Sequence, residues 1–237
     1  MAKNIKQESF IANKSQRFFG RRISRKLSKQ KKNLLNNSLP DYEITIKNLK
    51  IFLSEKRRRY DNKFWLEVGF GSGEHLVKQA MKHPDIFFIG CDPYINGIVS
   101  LLDKIIEKKL HNIGIFAEDA RELIRKSPNS LFSKVFILFP DPWPKKRHFK
   151  RRLINQNFLD SLFKAMENDG TLHICSDVLN YIRWTLYQVS KNSNFTWIIN
   201  KSEDWKESAD NRFFTKYAKK ADLKKRTVFH IKLQSLK

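Results

Sequence analysis

Phe64-Trp65-Leu66-Glu67-Val68-Gly69-Phe70-Gly71-Ser72-Gly73-Glu74 is the stretch on which the fold turns. An apolar run of strand length ends in glycines at alternate positions, and residues 74–82 then space their apolar side chains at helical intervals. Glycine lets a backbone turn sharply and puts no side chain between that turn and a ligand, so strand, glycines and helix together open a nucleotide-type α/β unit. The spacing is Gly69-x-Gly71-x-Gly73, not the Gly-x-Gly-x-x-Gly of a dinucleotide site, and Glu74 follows at once. A carboxylate at that helix N-terminus disfavours a pyrophosphate. Glu67, just before the turn, favours a ligand with positive charge, such as the sulfonium and ammonium of S-adenosylmethionine, over a nicotinamide dinucleotide.

Working outward, further strand-like runs fall at 86–91, 112–116, 134–139 and 170–175, with helical patterns at 95–109, 119–125 and 153–167 between or after them. This βαβ rhythm predicts a mostly parallel sheet with helices on both faces. The last third departs from it: a helix is expected over 178–191, then strands over 194–200 and 227–233, joined by a long connection. Two more acids stand at strand ends. Asp92 follows the second strand, where a carboxylate can accept both ribose hydroxyls of an adenosine. Asp119, followed by Ala120, ends the third and can accept an adenine amino group, although helix capping is an equal reading for it.

After the fourth strand comes Phe139-Pro140-Asp141-Pro142-Trp143-Pro144-Lys145-Lys146-Arg147-His148-Phe149-Lys150-Arg151-Arg152. Its prolines suppress helix and strand pairing and hold Asp141 and Trp143 on a preordered loop at the mouth of the sheet. The basic run behind them exceeds what local ion pairing explains, and a phosphate backbone is its natural counterion. Composition agrees. The chain has 237 residues, with 47 Lys and Arg against 24 Asp and Glu, a net charge of +23 that makes nucleic acid the leading partner.

Residues 1–40 form a polar, basic arm that includes Arg17, Arg21, Arg22 and Arg25 and cannot bury much by itself; the expected domain is 41–237. Cys91 and Cys175 lie in apolar runs without zinc-like spacing, and the histidines are scattered, so a metal site is unsupported. The sequence offers no long apolar run and no signal-peptide core, and a cytoplasmic protein with no membrane contact is expected.

The turn at Glu67, the Phe139-Pro-Asp-Pro-Trp loop with its basic tail, Ser176-Asp177 and Thr215-Lys216-Tyr217 together resemble the tRNA (guanine-N7) methyltransferases over nearly the whole chain. The resemblance implies a Rossmann-like class I methyltransferase fold with a seven-stranded sheet, S-adenosyl-L-methionine as cofactor, and tRNA as substrate, methylated at N7 of guanine 46 in the variable loop. Carried over by residue, it makes Glu67, Asp92, Asp119 and Asp141 cofactor-binding acids, alongside Gly69, Gly71, Gly73 and Ala120, with Asp141 also at the reaction centre. It makes Lys145, Asp177, Thr215, Lys216 and Tyr217 substrate-binding, and assigns RNA contact to Arg147, His148, Lys150, Arg151 and Arg152. The family usually reads Thr-x-Phe/Tyr-Glu in the late connection, whereas Ala218 follows Tyr217 here; Glu207 or Asp210 are the expected substitutes, with Asn211 and Arg212 close by.

Guanine N7 carries an in-plane lone pair and no proton, so its methylation needs alignment and desolvation more than a base. The competing readings are an inactive RNA-binding module and a methyltransferase acting on protein or a small molecule. Four acids kept in so basic a chain speak against the first, and the basic loop beside Asp141 against the second.

Overall fold

The computed structural model describes residues 19–24, 26–201, 204–205 and 215–237. Of the sequence readings, those on Arg17, Arg25, Glu207, Asp210, Asn211 and Arg212 fall outside the described residues. In chain order the elements are α1 (Lys29–Tyr42), β1 (Glu43–Ile44), α2 (Leu49–Arg59), β2 (Phe64–Val68), α3 (Glu74–Lys82), β3 (Phe87–Cys91), α4 (Ile95–Glu107), β4 (Ile113–Phe116), α5 (Ala120–Lys126) and β5 (Phe132–Leu138). A 3₁₀ turn (Lys146–Arg151) follows, then α6 (Gln156–Ala165), β6 (Met166–Ser176), α7 (Leu179–Ser190), β7 (Phe195–Trp197), α8 (Lys216–Leu223) and β8 (Phe229–Ser235).

The strands form one sheet in the order β1-β4-β3-β2-β5-β6-β8-β7. It is parallel from β1 to β6, and β8 enters antiparallel between β6 and β7. Eight strands replace the expected seven because Glu43 and Ile44 add a two-residue parallel edge beside β4, too short to carry a periodic signal. Two further expectations change. The strand expected at 170–175 begins at Met166, pairs with Phe132 and resumes at Thr171 after an irregular polar stretch, which shortens the preceding helix to Ala165. The boundary expected at residue 40 falls inside α1, where Leu39 is buried.

Burial explains the pattern. All five residues of β2 and of β3 are buried, as strands covered on both faces must be. Along β2, Phe64, Leu66 and Val68 face the layer of α2, α5, α6 and α7, while Trp65 faces the layer of α1, α3, α4 and α8. Period-two alternation therefore turns Glu67 toward α3. Cys91 and Cys175 are buried free thiols. No described helix is long and apolar enough to cross a membrane.

Candidate active site

β2 and β5 are neighbours, but the chain leaves β2 for α3 on one face and β5 for α6 on the other, so a crevice opens beyond their carboxyl ends. The glycine turn forms one lip. Gly69, Gly71 and Gly73 all have positive φ, at 77°, 57° and 79°. A side chain built at Gly69 or Gly71 would meet no protein atom within 4 Å, so the turn borders open space into which a ligand fits. Asp92 ties this turn to the start of α4: its carboxylate accepts from Gly71 N at 2.8 Å and from Tyr94 N at 2.9 Å. From behind, Ser100 Oγ and Lys104 Nζ donate to Ser72 O.

Gly97 was invisible to motif reading yet belongs to this site. A methyl group there would stand 2.1 Å from Gly71 O, so α4 can support the turn only where residue 97 lacks a side chain. Its signal was an isolated glycine within an apolar helix pattern.

The site gathers acids. Asp92 is buried, which pushes its carboxyl up to about 6 against the opposing pull of its two backbone hydrogen bonds, and the nearby Glu67 and Asp141 charges raise it further. Glu67, 2 % exposed, receives Nδ1 of equally buried His75 at 2.7 Å, and His75 contacts Gln79 across one turn of α3. Asp141 stands on the opposite lip, open to solvent, yet the surrounding protein displaces enough water to raise its carboxyl. Tyr217 stacks on Phe139 with centroids 6.1 Å apart; burial first, then the charges of Asp141 and Asp92, hold its hydroxyl in the neutral form.

The loop around Asp141 is strained. Phe139 and Trp143 adopt φ of 52° and 41°, a left-handed conformation costing about 1–3 kcal/mol at a residue with a Cβ. Phe139 is held by its N–H to Cys175 O, and the Trp143 end is held by Arg152. Arg152 is 2 % exposed and donates to Pro142 O at 2.9 Å, Trp143 O at 3.4 Å and Asn180 Oδ1 at 2.7 Å, with Phe149, Tyr181 and Trp184 around its guanidinium. Arg152, expected to contact RNA, is instead turned inward onto the loop carbonyls, with its Nη1 buried and without a hydrogen-bond partner among the described residues.

Arg151 instead lies against the rings of Phe19 and Trp143, at 4.8 and 5.0 Å. Trp143 also meets Phe19 and His148 edge-on, which makes it a plug of the loop. Desolvation and then the charges of Arg151, Arg147 and Lys145 keep the His148 imidazole below its usual value. Lys145, Arg147 and Lys150 are exposed around the 3₁₀ turn.

Asp119 has its own cationic partner. It caps α5 by accepting from Arg121 N and binds the Arg121 guanidinium through both oxygens, so of its two expected readings the structure displays capping. Ala120 is the buried first residue of that helix. Asp177 pairs with Arg226 at 3.0 Å. Thr215 caps α8 by accepting from Ala218 N, and Lys216 is exposed. The N-terminal arm contributes a strap that sequence reading missed: Ser24 reaches Asn96 and the Tyr94 hydroxyl, and Arg22 O accepts from Ile95 N. Among the described residues no group of His, Cys, Asp and Glu could hold a metal ion.

Two substitutions test this architecture. Gly97→Ala is expected to lower stability by about 1–3 kcal/mol through overpacking, read by chemical denaturation. Arg152→Met should cost about 2–3 kcal/mol, since it strips partners from buried carbonyls, while Arg151→Ala should change stability far less.

The family model described as "Putative methyltransferase" matches residues 61–231. A tRNA (guanine-N(7)-)-methyltransferase of Rhodopseudomonas palustris strain BisB5 is 33% identical over 220 residues, covering 92% of this chain and 86% of that protein. One from Roseobacter denitrificans is 41% identical over 167 residues, 70% of this chain and 71% of its own. Among solved structures, an antibiotic-related methyltransferase matches with a TM-score of 0.58 at 19% identity, covering 80% of this chain and 94% of its own. A 16S rRNA methyltransferase also gives 0.58, at 13% identity, with 78% and 92% covered. The sheet with its glycine turn is thus the class I methyltransferase fold, and by its sequence the chain belongs to the tRNA (guanine-N7) methyltransferase family.

Proposed function

We propose that this enzyme transfers a methyl group from S-adenosyl-L-methionine to N7 of guanine 46 in the variable loop of tRNA, forming 7-methylguanosine, and that it works in the cytoplasm. The observation that carries the reading is a reversal of charge: Glu67, Asp92 and Asp141 converge on one crevice, and Lys145, Arg147, Lys150 and Arg151 surround the loop beside it. Acids inside suit a cationic cofactor and a base that becomes cationic; cations outside suit a polyanion.

The residues present fit the cofactor. The open space over Gly69 and Gly71 would take its methionine and sugar portions, Asp92 would accept from the ribose hydroxyls, and Ala120 would border the adenine. Bound there, S-adenosylmethionine supplies an electrophilic methyl group on a sulfonium.

Asp141 does the work on the substrate side. As a carboxylate it accepts from the guanine N1–H and 2-amino groups, which turns N7 toward the methyl group. It also places negative charge beside a ring that gains positive charge in the transition state. Arg152 acts one step away, by fixing the carbonyls that flank Asp141. Tyr217, stacked on Phe139 at the end of β5, would border the bound guanine. Arg151 and the exposed cations add affinity without choosing the base, since phosphate contacts position RNA and carry no sequence code.

The deciding experiment is transfer of labelled methyl to unmodified tRNA, with strand cleavage at 7-methylguanosine to locate the product. Label at position 46 supports the reading; bound cofactor and tRNA without label would favour the inactive RNA-binding module. Asp141→Ala should lower kcat by about 10²–10³ with a much smaller change in tRNA affinity. Equal losses in both would remove Asp141 from the reaction centre.

Asp92 adds a pH signature. Its folded value of about 6 lies above the usual 3.8, so between the two the folded chain binds a proton that the unfolded chain does not. Acidification through that window therefore adds stability to the cofactor-free fold, while converting an acceptor for ribose hydroxyls into a neutral acid. Calorimetric titration should show cofactor affinity falling below about pH 6, and Asp92→Asn should bind weakly without that dependence.

A further inference from the structure

Beside the crevice, a groove of about 620 Å³ runs between α5, the 3₁₀ turn, α6 and α7. It falls within the about 300–1,000 Å³ range of ligand sites, and of its lining only Lys150 has been placed on the RNA side above. Its lining includes four aromatic residues, Phe19, Phe149, Phe158 and Trp184, and three cationic ones, Arg121, Arg125 and Lys150; among the described residues no carboxylate lines it. The acids that pair with Arg121 and Arg125, Asp119 and Glu122, sit outside the lining.

The walls are fixed before any ligand arrives. Asn155 caps α6 and donates to Arg152 O and Leu153 O. Gln156 donates to Gln188 and accepts from Asn192. Trp184 donates its indole N–H to Ile154 O, so only its ring faces outward chemistry. By contrast Lys150 and Asn157 are exposed, and neither side chain has a hydrogen-bond partner among the described residues. A rigid aromatic trough with free cationic and amide groups suits a strand whose bases stack and whose phosphates need counterions. A cationic ligand finds no carboxylate in this lining, and an uncharged one leaves Lys150 without a counter-ion.

Position selects the strand. Phe19 lines the groove and also packs on Trp143 of the Asp141 loop, and the 3₁₀ turn that forms one wall begins five residues after Asp141. We infer that this groove holds the unpaired nucleotides that flank the methylated guanine, stacking their bases on Phe149 and Trp184 and setting their phosphates against Arg125 and Lys150. The inference rests on the tRNA reading above and adds to it a second subsite that measures the chain next to the target.

Asn157 provides the test, because its substitution changes groove charge without harming the fold. It is the second residue of α6, where an acid is favoured by the helix dipole. Asn157→Glu should raise KM for tRNA about 5-fold at low salt, roughly one phosphate contact, with kcat and the KM for S-adenosylmethionine unchanged. Asn157→Lys should lower it, although the added cation slightly disfavours the helix. The same charge change at exposed Asn168, at the start of β6, serves as control and should do nothing. In parallel, 4-thiouridine placed beside the target guanine should crosslink to peptides from 146–161 or α7. Equal KM values for the Glu and Lys variants, an Asn168→Glu effect as large as that of Asn157→Glu, or crosslinks confined to other segments would overturn the subsite. If the parent chain proves unable to methylate tRNA, the function reading fails; the order of tRNA affinities, Lys above Asn above Glu, then still decides the groove by direct binding.

Discussion

Two hydrogen-bonded strands whose continuations must part company set everything else. β2 feeds α3 on one face and β5 feeds α6 on the other, so the backbone itself cannot close the gap between their carboxyl ends. Right-handed crossovers make this parting unavoidable in a sheet that grows in both directions from its centre. The glycine turn and the Pro-Asp-Pro loop are the two edges of that gap. Each is held by side chains from elsewhere: Asp92 accepts from the turn while Ser100 and Lys104 donate to it, and Arg152 donates to the loop.

Two of these anchors, Asp92 and Arg152, are opposite in charge and alike in logic. Both are buried, and both spend their charge on backbone dipoles instead of a counter-ion. Main-chain groups carry no titrating charge, so the Arg152 anchor holds its loop over conditions that would loosen exposed ion pairs, whereas the Asp92 anchor titrates at about 6. The strain at Phe139 and Trp143 persists for the same reason, since their partners over-determine the loop.

Much of this was legible in the chain because it is local. The glycine turn, the acid after β3 and the proline loop each announce themselves within a few residues, and α3 begins and ends where its apolar spacing does. What escaped is what depends on distant partners. Arg152 reads like its basic neighbours, and only the fold shows it turned inward among Phe149, Tyr181 and Trp184. Gly97 matters through Gly71, far away in sequence and touching in space. Asp119 was balanced between capping and binding, and the Arg121 side chain that occupies it was part of the same sentence of sequence. The resemblance to a Thr-x-Tyr-Glu pattern also gains a physical meaning: Thr215 and residue 218 stand where a capping box closes, and Ala218 keeps the threonine half while losing the return bond.

The helix that crosses residue 40 changes what counts as a separable piece. Leu39 is buried against the sheet-side core, with Leu34, Leu35 and Tyr42 packed on the same cluster. A fragment begun at Asp41 would start inside α1, shed that covering and leave an oily stripe open over the neighbouring α4 layer. From Lys29 onward, what looks in the sequence like a basic tail is thus helix α1, packed on the core of the sheet. Shortening the chain at its compositional boundary would produce a sticky core rather than a smaller catalyst.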